Sequence, residues 1–198
     1  MKTIFKVLLT ISFVLSVSFT QAQTRFGIKG GLNFSAITVS GEPGNGSYTS
    51  DSKTGFNLGV ISEIPLATDF YLQPGLLFST KGGKSASGSS KTNNLEIPIN
   101  ALYKLNAGSV KVLGFAGPYI GYALSGKSGS TNIKFSGDNK DMNAFDLGLN
   151  IGAGVEVSNF QITAQYGFGL TNLAANSGNL KSKNKVFGVS VAYLFGGK

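Results

Sequence analysis

Apolar and polar side chains alternate along most of the chain after residue 24, and this period of two is typical of β-strands with one apolar face. In residues 145–157, for example, Leu147, Leu149 and Ile151 share one parity, and Asp146 and Asn150 share the other. No window of roughly 11 residues has the helical period, and glycine recurs too often for helices. Eight segments are predicted as strands, seven of them with clear alternation: residues 26–35, 56–63, 70–79, 94–104, 110–122, 145–157, 160–168 and 187–195.

The lengths of these strands and of their connections favour a membrane barrel. The predicted strands have 8 to 13 residues, close to the ~9–11 that a tilted transmembrane strand needs and longer than the usual ~5–6 of soluble sheets. The connections alternate between long, Gly/Ser-rich segments predicted as flexible loops (36–53, 81–93, 125–143, 172–184) and short turns (64–69, 106–109, 158–159). The predicted fold is therefore all-β, an eight-stranded antiparallel up-and-down transmembrane β-barrel with its long loops on one rim.

The polar parity is predicted to face the lumen, and the apolar parity the hydrocarbon. Because buried polar groups need partners, the charged residues of this parity are expected to form a structural network in the lumen: Lys29, Glu63, Glu96, Lys104, Asp146 and Glu156. Arg25, Lys111 or Lys185 are candidates to complete the network near the rims. Side chains nearly fill the lumen of an eight-stranded barrel, so no wide aqueous pore is expected.

Aromatic residues cluster toward the strand ends, as in the two interfacial girdles of a membrane barrel. One rim would carry Phe26, Phe70, Tyr103, Phe160, Tyr193 and Phe195, and the other Phe34, Phe56, Phe78, Phe145 and Phe168. Two features do not fit the simple pattern. Prolines, which remove a ladder donor, lie inside three predicted strands at Pro74, Pro98 and Pro118, and Leu113, Phe115 and Tyr119 break the parity of residues 110–122.

The first 22 residues have the three parts of a secretory signal peptide. Lys2 and Lys6 lie in a short basic segment, residues 7–19 form an apolar run, and Ala22 suits cleavage after it. The apolar run is shorter than the ~20 residues of a spanning helix. We expect residues 1–22 to be a signal peptide and residues 23–198 to be the barrel domain. Removal of the signal peptide with Lys2 and Lys6 would lower the formal charge from +8 for the full chain to +6 for the barrel domain.

The composition excludes most enzyme chemistry. The chain has no His and no Cys, which removes Ser-His and Cys-His nucleophiles, imidazole metal sites and thiolate ligands. Glu63, Glu96 and Glu156 would be candidates for paired glycosidase carboxylates, but the bases on the same parity favour structural ion pairs. We therefore expect no enzyme activity, no catalytic residues, no cofactor and no metal site.

Two motifs suggest ligands that we do not expect. Residues 121–128 (GYALSGKS) match the phosphate-binding pattern GxxxxGKS, but no helical segment follows Lys127, so nucleotide binding is not predicted. Basic clusters lie in the second and fourth long connections: Lys81, Lys84 and Lys91, and Lys181, Lys183 and Lys185. Without interleaved aromatics they do not indicate nucleic-acid binding. They are interpreted as solvated loops that attract phosphate-bearing lipopolysaccharide.

Several segments in family order resemble the PorT-like family of outer-membrane β-barrel proteins, also described as the outer-membrane protein beta-barrel domain. They are GIKGGLNFS (27–35), YLQPGLLFS (71–79), LEIP (95–98), GPYIGY (117–122), GAGVE (152–156) and YGFGLTN (166–172). The resemblance implies a barrel in the outer membrane and accounts for the prolines of QPG and EIP. It implies no shared catalytic residues, and only some members of the family are tied to secretion machinery.

The sequence thus predicts a non-enzymatic, integral outer-membrane barrel of a Gram-negative cell, with the long loops extracellular and both termini periplasmic. Its expected role is structural, in surface interaction or as an accessory of export. The expected partners are outer-membrane lipid, lipopolysaccharide and an unidentified protein. Two alternatives stay open: a narrow channel for small solutes, and a secreted lipocalin-like barrel whose apolar parity faces inward around an apolar ligand.

Overall fold

A computed structural model describes residues 24–41, 46–85, 88–137, 139–175 and 180–196, so the predicted signal peptide lies outside the described residues. The described chain is built from ten strands and contains no helix long and apolar enough to cross a membrane. The strands are β1 (Arg25–Ser40), β2 (Ser47–Thr49), β3 (Asp51–Ala67), β4 (Phe70–Ser85), β5 (Gly88–Ala107), β6 (Val110–Ser128), β7 (Thr131–Asn132), β8 (Phe145–Val157), β9 (Phe160–Gly169) and β10 (Lys181–Phe195).

The eight long strands form a closed antiparallel ring. Their order is β1-β3-β4-β5-β6-β8-β9-β10, and β10 pairs back with β1 from Phe26 opposite Phe195 to Ser40 opposite Lys181. The predicted all-β antiparallel barrel is confirmed. The two short strands were not predicted: β2 pairs with the end of β1, and β7 pairs with the end of β6.

The side chains of each long strand alternate between the outer face and the lumen. Ile28 and Leu149 are 54% and 47% exposed on the outside, whereas Asn33 and Asn150 are 3% and 7% exposed inside. This arrangement leaves a broad apolar surface around the ring. The lipocalin-like alternative is therefore wrong, because it requires the apolar parity to line the interior.

The lumen is not wholly polar, which the alternation did not reveal. One inward cluster contains Ile61, Leu77, Ala192 and Leu194, and a second contains Leu102, Leu113 and Phe115 with Tyr71 packed against it. The alternation of residues 110–122 is irregular because β6 turns three large side chains inward: Leu113, Phe115 and Tyr119. The lumen accommodates two of them beside glycines on β8, where Gly148 pairs with Tyr119 and Gly152 with Phe115.

Turns of two residues close one end of the ring, which we call the short-turn rim. They comprise residues 68–69, 108–109 and 158–159, and Asp69, Gly108 and Ser158 have positive φ angles of 65°, 69° and 54°. A left-handed backbone residue is a common feature of such tight hairpins. Residues Arg25 and Phe195, at the start of β1 and the end of β10, lie at this same rim.

The opposite end, the long-hairpin rim, differs from the prediction of long loops. Most of the segment 81–93 is strand, because β4 continues to Ser85 and β5 begins at Gly88. The predicted loops 36–53 and 172–184 are also partly strand, and the segment 125–143 keeps an irregular stretch after β7. Polar Gly/Ser-rich sequence was interpreted as loop, but paired strands of 16 to 20 residues extend well past the ~9–11 residues that a bilayer requires.

Aromatic pairs surround the ring near both rims. The ring centroids of Phe70 and Tyr103 lie 4.7 Å apart near the short-turn rim. Toward the long-hairpin rim, the centroids of Phe34 and Phe187 lie 6.3 Å apart. The three prolines remain within strands: Pro74 pairs with Ile99, Pro98 with Tyr119, and Pro118 with Leu149. The register shifts that the structure records lie at other positions.

Candidate functional site

The first charged cluster of the lumen lies near the short-turn rim and joins two cations to two carboxylates. Lys104 Nζ lies 2.7 Å from Glu63 Oε1 and 2.6 Å from Glu156 Oε2. Arg25 Nη2 lies 2.8 Å from Glu156 Oε1 and also contacts Glu63. We call these four residues the short-turn cluster. Its formal charge is zero, and the buried charges are compensated by direct contact.

Two amides complete the hydrogen bonding of this cluster. Gln161 Nε2 donates to Glu63 Oε2 and to Glu156 Oε2, both at 2.8 Å, and Gln73 Nε2 donates to Gln161 Oε1 at 3.1 Å. All four carboxylate oxygens therefore have partners, as buried charges require. The six residues come from β1, β3, β4, β5, β8 and β9, so this layer crosses the whole lumen.

A second cluster, the long-hairpin cluster, contains Lys81, Glu96 and Asp146. Lys81 Nζ lies 2.7 Å from Glu96 Oε1, a contact with the distance of an ion pair but without the alignment of a hydrogen bond. The same nitrogen lies 3.5 Å from Asp146 Oδ2 and 4.5 Å from the centroid of the Tyr119 ring. Asp146 Oδ2 also accepts a hydrogen bond from Asn184 Nδ2 at 3.0 Å. One cation and two carboxylates leave this cluster with a formal charge of −1.

Lys29 lies apart from both clusters. Its side chain is buried, with 6% exposure, and its ammonium lies 3.4 Å from Gln165 Oε1. In the described part of the chain no carboxylate comes within salt-bridge distance of it. A cavity of about 20 Å³ separates Lys29 from Lys81 and Glu96, which is the size of a site for one water molecule. Lys29 and the long-hairpin cluster together have a formal charge of zero.

Amides and hydroxyls fill the level of Lys29. Asn57 Nδ2 donates to Asn33 Oδ1 at 2.8 Å, Asn33 Nδ2 donates to Ser79 Oγ at 3.0 Å, and Ser190 Oγ donates to Asn57 Oδ1 at 3.3 Å. These bonds link β1, β3, β4 and β10 across the interior. These hydrogen bonds can hold the four strands in register. The carboxylates of the short-turn cluster, Glu63 and Glu156, are buried and therefore not accessible to a substrate.

The structure sorts the six predicted lumen residues into three places. It brings Glu63, Lys104 and Glu156 together, it brings Glu96 and Asp146 together, and it leaves Lys29 between the two groups. Of the three rim candidates, Arg25 joins the network, whereas Lys111 and Lys185 make no salt bridge to any described residue. Residues 121–128, the GxxxxGKS match, lie entirely within β6, where no helix begins.

Lys81 is the charged residue that the sequence interpretation placed wrongly. Its Gly- and Ser-rich neighbours predict a solvated loop, but β4 carries it into the lumen, where it is 5% exposed. The signal was present in the sequence. Gln73, Ser79 and Lys81 share one parity, so the alternation of β4 extended past Ser79 would have turned Lys81 inward.

A closed antiparallel ring with an apolar outer face and internally paired charges has the architecture of a membrane-spanning β-barrel. The sequence matches the family model described as "Outer membrane protein beta-barrel domain" over residues 19–175, and the chain belongs to this family. It is accordingly a protein of the outer membrane, in contact with the lipid of that membrane.

Solved structures similar to this chain include three other outer-membrane proteins. Neisserial surface protein A is 16% identical, with 85% of this chain and 96% of that chain covered and a TM-score of 0.49. Ail, the attachment invasion locus protein of Yersinia pestis, is 16% identical, with coverages of 88% and 100% and a TM-score of 0.42. The outer membrane enzyme PagL is 13% identical, with coverages of 81% and 98% and a TM-score of 0.48. No curated protein matches the chain.

Proposed function

We propose that this protein is a non-enzymatic outer-membrane barrel that acts through its long-hairpin rim, in surface interaction or as an accessory of export. In this proposal the long-hairpin rim faces the cell exterior and both termini face the periplasm. The lumen serves as structural filling. The observation that carries the proposal is the layer of ion pairs and amides that crosses the lumen near the short-turn rim.

Three features support a closed lumen. The short-turn cluster and its two amides draw on six of the eight long strands, and its charges cancel. The apolar side chains of Leu102, Leu113 and Phe115 pack together inside the ring. The cavity beside Lys29 has a volume of only about 20 Å³. A hydrated ion or solute would have to displace buried ion pairs to pass, which costs several kcal/mol per uncompensated charge.

The finer assignment within the family is also a proposal. Segments such as GIKGGLNFS (27–35) and YLQPGLLFS (71–79) support a PorT-like member. The basic start, apolar run and Ala22 support a cleaved signal peptide over residues 1–22 and a barrel domain over residues 23–198.

Planar-bilayer recording tests the closed lumen against the channel alternative. We expect the purified full-length barrel to give no discrete conductance steps. The control is Lys29→Glu, which reverses the charge at the central cavity without touching either ion cluster directly. The proposal is overturned if the wild-type protein gives conductance steps and the ion selectivity of these steps changes in Lys29→Glu. That result would show that ions pass through the lumen.

Cysteine labelling tests the orientation of the barrel in the membrane. Because the sequence contains no cysteine, only an introduced cysteine can react. Ser128 is exposed at the long-hairpin rim, and Thr68 is exposed in a short turn. We expect a membrane-impermeant maleimide to label Ser128→Cys in intact cells and to label Thr68→Cys only after the outer membrane is permeabilised. The reverse pattern would place the long-hairpin rim in the periplasm.

A further inference from the structure

Strand β10 carries three lysines on the outer face of the barrel. Its inward positions include Val186 and Ala192, which are buried, and its outward positions include Phe187 and Val191, which are exposed. Because strand side chains alternate, the outward parity continues from Phe187 through residues 185, 183 and 181. We call these three residues the lysine column: Lys181, Lys183 and Lys185.

The position of the lysine column relative to the aromatic girdle sets its depth. Phe187 stacks with Phe34 in the girdle toward the long-hairpin rim, and such girdles mark the edge of the hydrocarbon. With a rise of ~3.3 Å per residue and a tilt of about 40°, Lys185, Lys183 and Lys181 lie roughly 5, 10 and 15 Å beyond Phe187. The polar headgroup region of a bilayer is about 5–8 Å thick on each side. Lys185 therefore lies within the headgroup region, and Lys183 lies just beyond it.

Nothing acidic in the described structure neutralises the lysine column. The partners of Lys181, Lys183 and Lys185 on β1 are Ser40, Thr38 and Ala36, and the partner of Lys185 on β9 is Phe168. None of the three lysines makes a salt bridge with a described residue. Lys183 and Lys185 are half-buried. Lysines at a membrane interface commonly bury their apolar stems and keep the charge in polar surroundings.

The connections at the long-hairpin rim carry a net positive charge. The four connections 36–53, 81–93, 125–143 and 172–184 contain nine Lys and four acidic residues. Among the described lysines of this rim, Lys185 lies nearest the girdle, two residues beyond Phe187. The exposed Lys91 lies four residues beyond Leu95, the partner of the girdle residue Phe78. A soluble polyanion would approach from the mouth of the barrel. It would therefore reach Lys181, the outermost residue of the lysine column, before Lys183 and Lys185.

We propose that the lysine column binds the phosphate groups of lipid headgroups in the leaflet that surrounds the long-hairpin rim. The site would take a phosphorylated lipid, with Lys185 within the headgroup region, Lys183 at its outer edge and Lys181 above them. The proposal deepens the proposed function, since it assigns a partner class to the rim through which the protein acts.

The test compares two double variants that remove equal charge. Lys183→Gln/Lys185→Gln removes the two lysines of the column that lie nearest the headgroups. Lys84→Gln/Lys134→Gln, the control, removes two exposed lysines of the same rim: Lys84 lies six residues beyond Phe78 on β4, and Lys134 lies in the irregular segment after β7. Heat-modifiable electrophoretic mobility shows that each variant has folded.

The probe is diphosphorylated lipid A added to the full-length barrel in uncharged micelles, with retained lipid measured by native mass spectrometry. Each lysine near an anionic surface contributes about fivefold in affinity, so we expect about a 30-fold loss for Lys183→Gln/Lys185→Gln. The control should stay within about threefold of the wild type. Raising the salt from 0.05 to 0.5 M should weaken binding, because exposed charges are screened.

Three results would overturn the proposal. Equal losses in the two double variants would show that net charge alone attracts the lipid. Equal binding of dephosphorylated lipid A would show that phosphate is not recognised. Full competition by a soluble phosphorylated saccharide would show that the ligand is not the lipid. Because purified protein in micelles has no sidedness, this assay is independent of the labelling and conductance tests of the proposed function.

Discussion

The short-turn cluster gives the sharpest test of how the barrel is held closed. Lys104 is 2% exposed and makes contacts of 2.6 to 2.7 Å with Glu63 and Glu156. Replacing it by Met keeps much of its length and removes the ammonium. Arg25 then remains as the one cation of the cluster beside two carboxylates, so one buried negative charge loses its partner.

The expected cost follows from this imbalance. Removing one partner of a buried ion pair destabilises a protein by about 3–5 kcal/mol, because the remaining charge is uncompensated. We expect Lys104→Met to lower the free energy of unfolding by this amount. Adding Glu63→Gln restores a neutral cluster of Arg25 and Glu156, so the double variant should recover about 2 kcal/mol, within the range of couplings measured between contacting residues.

Urea titration of the barrel in lipid vesicles measures these changes, with the folded fraction read from electrophoretic mobility without heating. Lys111→Met is the matched control, since Lys111 lies near the same rim on β6 and makes no salt bridge with a described residue; its effect should stay within about 0.5 kcal/mol. The reasoning is refuted if Lys104→Met unfolds at the same urea concentration as Lys111→Met, or if Glu63→Gln worsens Lys104→Met.

Two further predictions concern the faces of the wall. Leu149→Arg, which puts a charge on the lipid face, should cost about 2–4 kcal/mol and impair assembly in membrane fractions. Asn150→Ser, on the neighbouring lumen position, should be mild, so equal tolerance at both would contradict the facing. Gly152→Ala should destabilise by about 1–3 kcal/mol, because its Cβ would lie 2.4 Å from Phe115 Cζ. Gly114→Ala, with no atom within 4 Å of its Cβ, should unfold like the wild type.

Alternation in the sequence predicted the fold because lipid enforces it on every strand. A residue such as Ile28 or Leu149 must be apolar to face hydrocarbon, and its neighbours Lys29 and Asn150 must find partners inside. Between the two aromatic girdles the outward parity is therefore almost free of polar residues, and it indicates both the strands and their orientation. The lumen obeys no such rule, since Leu113 and Phe115 fill it as well as amides do.

The partners within the lumen were beyond the reach of sequence reasoning. Arg25 and Glu156 are 131 residues apart in the sequence. They meet because the tilt and stagger of the strands place both residues at the same height along the barrel axis. Alternation gives the face of each residue but not its height, so it could not tell that Lys29 would stand apart. The position of Lys81 has another explanation: its Gly- and Ser-rich neighbours are typical of a loop, but its parity continues that of Gln73 and Ser79 in β4.

The pairing of β1 with β10 has a consequence for biogenesis. Its fifteen residue pairs join the first and last strands of the barrel, so the seam can be sealed only after the whole domain has been translated. Contacts of such large sequence separation form slowly, and until then two bare edges invite aggregation. The nascent domain must therefore be kept from self-association on its way to the bilayer, and shortening its last strand should leave it trapped as an open, insoluble sheet.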